Sequence, residues 1–305
     1  MDVTTGTTGT TGTTGTPARV VANGVEFAYL EAGPPDGPLA LCLHGFPDTA
    51  TSWRHLMPAL AGAGYHAVAP WMRGYAPSAV PADGCYQQGA LGADACALHE
   101  ALGGDGRAVL VGHDWGASAA YSAAPFQPDR WSKVVVMALP PLAALATGFL
   151  TYDQLKRSFY VFVFQSALAD TAVALDDLAF IDRLWADWSP GYDGSWDAAQ
   201  VKAALRDPAH LSAAIGYYRA MFDATTHRPE YDAAQGASAS SPPQPTLYLH
   251  GADDGCLAPE AIGDVAALLS ASSRRVDIAG AGHFLHLERP DEVNALVLEF
   301  LSDRA

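Results

Sequence analysis

Short apolar runs, separated by longer segments of helical periodicity, dominate this sequence. Residues 19–32 have a hairpin pattern that turns at Asn23-Gly24, a strong short-range hairpin signal. Six further runs have the length and composition of buried strands, and they are 41–44, 66–70, 108–111, 133–138, 246–250 and 275–278. Because helical patterns alternate with these runs, the sequence predicts an α/β fold. Its mostly parallel, eight-stranded sheet should carry helices on both faces.

Two proline-rich boundaries predict how the chain is divided. Pro140-Pro141 follows the sixth predicted strand, and Pro242-Pro243 precedes the seventh. We therefore expect residues 141–243 to form an insert between strands 6 and 7, and the family resemblance given below implies that this insert is a helical lid. The flanking segments, 17–140 and 244–305, are expected to form the two parts of one core domain.

Composition narrows the class of protein. The chain has 305 residues, half of them apolar, yet no apolar run reaches the roughly 18 residues of a membrane span. A net charge of −16 disfavours nucleic acid and anionic membrane surfaces as partners.

Residues 1–16 are nearly all Thr and Gly, and such a tract cannot bury enough apolar surface to become ordered, so we expect a disordered tail.

Cysteine usage and the absence of cofactor motifs bear on location and chemistry. The four cysteines show neither C-x-x-C nor metal-binding spacing, which favours free thiols in a reducing cytoplasm. No dinucleotide, phosphate-loop or H-E-x-x-H motif occurs in the sequence. We therefore expect neither a cofactor nor a metal ion.

The pentapeptide Gly112-His113-Asp114-Trp115-Gly116 contains the most chemical information. It lies between a predicted strand and a helix rich in small residues, as in a G-x-nucleophile-x-G elbow, whose strained turn presents the middle side chain. That residue is Asp114, where a serine would indicate an esterase. A carboxylate suits attack on a saturated carbon, because water can later cleave the resulting alkyl ester at its carbonyl. The expected substrate carries an electrophilic sp3 carbon, as in an epoxide or an alkyl halide.

Two loops should supply an oxyanion hole. The segment His44-Gly45-Phe46-Pro47 follows the third strand, where such a loop contributes one backbone N–H, and the residue after the nucleophile contributes the other. Phe46 and Trp115 occupy these two positions.

The remaining partners of the nucleophile should follow in the order acid, then histidine. Asp254 ends a G-x-x-D turn after the seventh strand, and His283 follows the eighth. Asp253 competes with Asp254 for the acid role, and the spacing favours Asp254. The sequence therefore predicts a triad of Asp114, Asp254 and His283.

These motifs together resemble the epoxide hydrolase branch of the α/β-hydrolase superfamily. The resemblance extends from about residue 18 onward and includes HGFP at 44–47, RGYAPS at 73–78, VGHDWGA at 111–117 and GHFLHLERP at 282–290. It implies an α/β-hydrolase fold and hydrolysis of an epoxide to a vicinal diol through a covalent ester on the aspartate. The implied partners are water and a small, neutral, mostly apolar epoxide, and assembly as a homodimer stays open.

The resemblance also implies that two lid tyrosines hydrogen-bond the epoxide oxygen. Tyr160 precedes Gln165 by the family's five-residue spacing, and Tyr218 belongs to the family's Tyr-Arg pair. Four further residues are expected to line the substrate pocket, namely His44, Pro47, Trp185 and Trp188. One departure is Trp71, which stands near the oxyanion loop at a position where relatives usually carry aspartate.

Two alternatives share much of this machinery. A haloalkane dehalogenase uses the same type of nucleophile, but it often has an asparagine at the position of Phe46, whose side chain cannot donate a hydrogen bond to a halide. Fluoroacetate dehalogenases follow the nucleophile with arginine, where this chain has Trp115. A non-catalytic binding protein of the same fold would not need the predicted triad.

Overall fold

A single eight-stranded sheet forms the centre of the molecule. The computed structural model describes residues 17–303, so the predicted disordered tail at 1–16 lies outside the described residues. The strand order is β1-β2-β4-β3-β5-β6-β7-β8. The strands are β1 (Ala18–Ala22), β2 (Val25–Ala32), β3 (Leu39–Leu43), β4 (His66–Pro70), β5 (Val109–His113), β6 (Lys133–Met137), β7 (Thr246–Gly251) and β8 (Arg274–Ile278).

The predicted α/β-hydrolase fold is confirmed. The β1–β2 hairpin turns at Asn23-Gly24, where both residues have positive φ, and β2 pairs antiparallel with β4. All other pairs in the sheet are parallel. Every residue of β3, β4, β5, β6 and β7 is buried, which explains why these strands appear in the sequence as continuous apolar runs.

Helices cover both faces of this sheet and fill the segment between β6 and β7. They are α1 (Leu56–Gly62), α2 (Gln88–Ala101), α3 (Trp115–Phe126), α4 (Tyr152–Arg157), α5 (Phe159–Val163), α6 (Ala169–Trp188), α7 (Ser195–Leu205), α8 (Pro208–Phe222), α9 (Asp232–Ala237), α10 (Leu285–Glu288) and α11 (Pro290–Ser302). Within α6, the backbone leaves the helical conformation at 175–178. None of the helices in residues 17–303 combines the length and apolar character needed to cross a bilayer.

The helices α4 to α9 form the insert that the sequence predicts as a lid. Its bounds at 141 and 243 stay a prediction. The side chain of Trp185 fastens this insert to the core, because its ring stacks on Phe284 at 3.5 Å and its indole N–H donates to the Pro47 carbonyl at 2.9 Å. The insert therefore has a fixed position above the carboxyl ends of the strands.

Candidate active site

The candidate site lies at the carboxyl ends of four parallel strands. The loops after β3, β5, β7 and β8 carry Phe46, Asp114, Asp254 and His283, respectively. Because parallel strands end at the same edge of the sheet, these loops converge although their residues are far apart in sequence. The structure thus brings together all four residues that the sequence predicts for this edge.

Backbone strain presents the side chain of Asp114. This residue has φ 51° and ψ −115°, a conformation that L-residues rarely adopt, and it directly precedes α3. The close packing of the turn requires glycine nearby, since a Cβ atom at Gly116 would collide with the carbonyl of Leu43. The geometry is that of a nucleophile elbow.

The carboxylate of Asp114 lies against the predicted oxyanion loop. Its Oδ1 accepts a hydrogen bond from the N–H of Phe46 at 2.8 Å. Burial raises the pKa of Asp114, while the charge of His283 and the backbone N–H groups of Phe46 and Trp115 act in the opposite direction. The same N–H groups that favour the carboxylate can stabilise negative charge on an ester formed there.

His283 connects Asp114 with Asp254. Its Nδ1 lies 3.0 Å from Oδ2 of Asp254, and its Nε2 lies 3.8 Å from Oδ2 of Asp114. Burial opposes the charged imidazole, but the carboxylates of Asp254, Asp114 and Glu288 together raise the pKa of His283 above its usual value. The arrangement holds the Nδ1–H tautomer and turns Nε2 toward the nucleophile, as a general base requires. Asp253 is exposed, whereas Asp254 is buried, so only Asp254 occupies the acid position.

The insert contributes to the alignment of these loops. The backbone carbonyl of Trp188 accepts hydrogen bonds from the N–H groups of Gly255 and His283, both at 3.0 Å. The next residue, Ser189, donates its hydroxyl to Glu288 at 2.6 Å. The acid loop and the histidine loop are therefore both bonded to the end of α6.

The two predicted lid tyrosines meet edge to face in the cavity that Asp114 lines. Their ring centroids are 5.5 Å apart, and both side chains line the same cavity as Asp114. The Tyr160 hydroxyl lies 3.4 Å from Sγ of Cys256, and the Tyr218 hydroxyl has no hydrogen-bond partner within residues 17–303. Burial raises the pKa of both tyrosines well above the usual value, so both keep their protons and can donate hydrogen bonds.

The cavity has a volume of about 520 Å³ and is mostly apolar. Asp114, Trp115, Tyr160, Tyr218 and His283 line it, as do several residues that the sequence analysis did not predict. Among these are Cys256, Ser118, Gln88 and Gln235. They come from separate loops and helices, and no motif in the sequence marks them.

The four residues predicted to line the pocket do not line this cavity, so that prediction is wrong. His44 instead supports the oxyanion loop, with Nδ1 2.8 Å from the Gly45 carbonyl and Nε2 accepting from the N–H of Met72 at 3.0 Å. Burial lowers the pKa of His44 to about 4, which fits a neutral ring with one donor and one acceptor nitrogen.

Trp185 of the insert donates its hydrogen bond to Pro47 of the core, as described above, and both residues are buried. Trp188 packs its ring against Tyr160 and His283, with centroids 5.0 Å from each, and supports the two side chains from behind. The sequence identified these residues as aromatic or loop positions near the site, but it did not show which way they point. Trp71 is buried in the core, and its carbonyl accepts a hydrogen bond from Ser78.

Two groups of side chains within residues 17–303 bring three potential metal ligands to within 4.8 Å of one another. One group contains Asp254, Cys256 and His283, whose carboxylate and imidazole already bond to each other. The other contains Asp48, His113 and His286. Burial raises the pKa of Asp48 to about 8 and lowers that of His286 to about 3. The expectation that the protein binds no metal ion stays a prediction.

Comparison with known proteins agrees with this architecture. The profile of a family described as alpha/beta hydrolase fold matches residues 38–290. The chain belongs to the α/β-hydrolase family. Within that family it belongs to the epoxide hydrolase branch, because it is 34% identical to epoxide hydrolase A of Mycobacterium tuberculosis over 93% of this chain and 96% of the relative.

Solved structures support the same placement. Epoxide hydrolase A of Mycobacterium thermoresistibile superposes with a TM-score of 0.76 at 28% identity, covering 93% of this chain and 97% of the other. A variant of a Bacillus megaterium epoxide hydrolase, bound to its product (R)-3-[1]naphthyloxy-propane-1,2-diol, superposes with a TM-score of 0.77 at 26% identity. That superposition covers 94% of this chain and 100% of the other.

Proposed function

We propose that this enzyme hydrolyses an epoxide to a vicinal diol through a covalent alkyl ester on Asp114. The observation that carries the proposal is the combination of two chemistries in one cavity. A buried aspartate nucleophile faces a histidine base on one side and two protonated tyrosines on the other. An esterase needs no aspartate at the elbow, and a binding protein needs no base beside it.

In the first half-reaction, Oδ2 of Asp114 attacks the less hindered or better activated carbon of the epoxide. A carbon–oxygen bond to the aspartate forms while the ring carbon–oxygen bond breaks, and the electron pair moves to the epoxide oxygen. Tyr160 and Tyr218 donate hydrogen bonds to that oxygen as its charge develops, and one of them passes its proton to the oxygen to give the hydroxyl of the ester intermediate. Donors placed where charge develops lower the barrier most in a dry cavity.

In the second half-reaction, Nε2 of His283 takes a proton from water, and the oxygen of that water attacks the ester carbonyl. Negative charge then develops on the ester oxygen that lies near the backbone N–H groups of Phe46 and Trp115. Collapse of this intermediate breaks the acyl carbon–oxygen bond, and the leaving oxygen takes the proton from Nε2 of His283. The second water proton restores the tyrosine that protonated the first oxygen, so the diol leaves and Asp114 is again a carboxylate. Asp254 holds the imidazole in the required tautomer and stabilises its positive charge.

The proposed substrate is a neutral, mostly apolar epoxide, with water as the second reactant. Among the described residues that line the cavity there is no lysine or arginine, and the chain carries a net charge of −16. The product bound to the Bacillus megaterium relative is also a vicinal diol with an aromatic substituent. A cytoplasmic location, the lack of a cofactor and homodimer formation stay predictions.

The direct test compares leaving groups. The purified protein is mixed with styrene oxide in one series and with 1-bromobutane in another, and diol, alcohol and bromide are quantified. We expect catalytic formation of phenylethanediol and no bromide release above the rate without protein. Bromide release without diol formation would instead favour the haloalkane dehalogenase.

A further inference from the structure

The cavity has a polar wall that the proposed reaction does not use. Ser118, Gln88 and Gln235 line it together with Asp114. Ser118 follows Asp114 by one helical turn, and its N–H donates to the Asp114 carbonyl at 3.0 Å. Gln88 begins α2, and Gln235 belongs to α9. Side chains from three helices therefore meet on one wall beside the nucleophile.

Backbone hydrogen bonds fix the orientation of both amide groups. Nε2 of Gln88 donates to the Ser118 carbonyl at 2.9 Å, so its Oε1 is the atom left to accept. Oε1 of Gln235 accepts from the N–H of Gly89 at 2.8 Å, so its NH2 group is left to donate. Within residues 17–303, neither remaining amide atom nor the Ser118 hydroxyl has a protein partner. The wall thus offers one acceptor, one donor and one hydroxyl.

The charge of the cavity limits which groups this wall can bind. The Asp114 carboxylate is negative, and no lysine or arginine among the described residues lines the cavity to balance a second anion. A carboxylate substituent would be repelled at this distance. A neutral group that both donates and accepts, such as a hydroxyl, satisfies the wall without that cost.

We infer that Ser118, Gln88 and Gln235 form a subsite for a neutral hydrogen-bonding substituent of the substrate. The inference rests on the proposed function and narrows its substrate class. The apolar part of the substrate packs against the apolar lining, which includes the stacked and partly exposed rings of Phe162 and Phe222.

Three probes of equal length test the inference. They are 5,6-epoxyhexan-1-ol, its methyl isostere 1,2-epoxyheptane, and 5,6-epoxyhexanoate. One net hydrogen bond stabilises by about 1 kcal/mol, which corresponds to roughly fivefold in kcat/KM. We expect the wild-type enzyme to prefer the alcohol over the methyl isostere by about that factor or more. It should hydrolyse the carboxylate at least about tenfold more slowly than the alcohol.

Two variants test the subsite through two different ratios of kcat/KM, alcohol to isostere and carboxylate to alcohol. Ser118→Ala should bring the ratio of alcohol to isostere close to parity. Gln88→Arg should raise kcat/KM for the carboxylate, relative to the alcohol, by about tenfold, because it adds a cation to the wall. Ser122→Ala is the matched control, since this hydroxyl on the same helix donates to the Ala234 carbonyl at 2.9 Å and does not line the cavity. Ratios within one variant cancel any loss of folded protein.

The outcomes distinguish a failure of the proposed subsite from a failure of the proposed function. If the wild type hydrolyses the alcohol and the isostere with equal kcat/KM, the subsite is refuted while the proposed function stands. If Ser122→Ala lowers the preference as much as Ser118→Ala, the effect comes from packing and the subsite is also refuted. If the enzyme hydrolyses no epoxide, both proposals fail together.

Discussion

The two halves of the candidate site are built by different means. In the sheet half, backbone hydrogen bonds, a strained elbow and the ends of parallel strands hold the loops that carry Asp114, Asp254 and His283. The lid half, with Tyr160 and Tyr218, is held by aromatic packing. Tyr218 has edge-to-face contacts with Phe46 and Trp115, both at 5.2 Å between centroids.

This contrast indicates how the two halves can vary. Backbone contacts do not depend on side-chain identity, so the sheet half keeps its geometry as long as the strands and the glycines of the elbow are present. Aromatic packing depends on every ring in the cluster. The lid half can therefore adapt to different substrates, while the sheet half fixes the positions of Asp114, Asp254 and His283.

Removal of the nucleophile from the sheet half should abolish turnover while the fold is kept. Asp114→Ala leaves no group to form the ester, and we expect a loss of turnover of about 10⁶-fold, the scale on which removal of a nucleophile usually acts. Diol formation from styrene oxide measures the effect, and circular dichroism checks the fold. Turnover close to that of the wild type would rule out a covalent mechanism at this residue.

Loss of the acid should affect only ester hydrolysis and its pH dependence. The neutral form of His283 is the base, so hydrolysis slows as the pH falls through the pKa of His283. Asp254 raises that pKa, and Asp254→Asn should move the acid limb to lower pH. It should also slow hydrolysis by about 10⁴-fold, because the tautomer is no longer fixed. Stopped-flow rates of adduct breakdown between pH 5 and 9 test this, and an unshifted limb would contradict the assignment.

The lid half should act mainly on ring opening. Tyr160→Phe or Tyr218→Phe alone should slow single-turnover alkylation by about 10- to 1,000-fold, and the double variant should lose more. Tyr217→Phe is the matched control, because the Tyr217 hydroxyl donates to the Arg73 carbonyl at 2.8 Å. Equal losses in the control and in Tyr218→Phe would show that the hydroxyl of Tyr218 has no special role.

The smallest effect on activity is expected from a substitution at Trp185, which joins the lid to the core. Trp185→Phe keeps a ring to stack on Phe284 but leaves the buried Pro47 carbonyl without its donor. We expect the free energy of unfolding to fall by about 1–3 kcal/mol, with kcat changed less than about threefold. Urea denaturation and steady-state kinetics on the same preparation measure both. A large loss in kcat with an unchanged free energy of unfolding would instead support the original prediction that Trp185 lines the substrate pocket.

The sequence predicted the fold and the sheet half better than the cavity. Buried strands, the elbow and the two partner loops each have a local signal, because glycine, apolar runs and chain order reflect backbone geometry. The roles of Tyr160 and Tyr218 stay predictions that depend on a resemblance, although the structure places both in the cavity that Asp114 lines.

The cavity wall could not be predicted in the same way. Ser118, Gln88 and Gln235 meet only because three helices pack together, and such contacts leave no periodic pattern in any one segment. Trp185 shows the opposite error. An aromatic residue in the lid suggested a pocket wall, whereas its orientation toward Phe284, which only tertiary packing determines, buries it in the join between lid and core.

The central claim is that Asp114 forms an ester that His283 then helps to hydrolyse, and intact-protein mass spectrometry of His283→Gln tests it most directly. After brief exposure to styrene oxide, the account predicts one covalent adduct per chain, with a mass increase equal to that of the epoxide. Peptide mapping should place the adduct on Asp114, and steady diol formation should be slowed by orders of magnitude. A folded variant that forms no adduct, or forms it on another residue, would contradict the account.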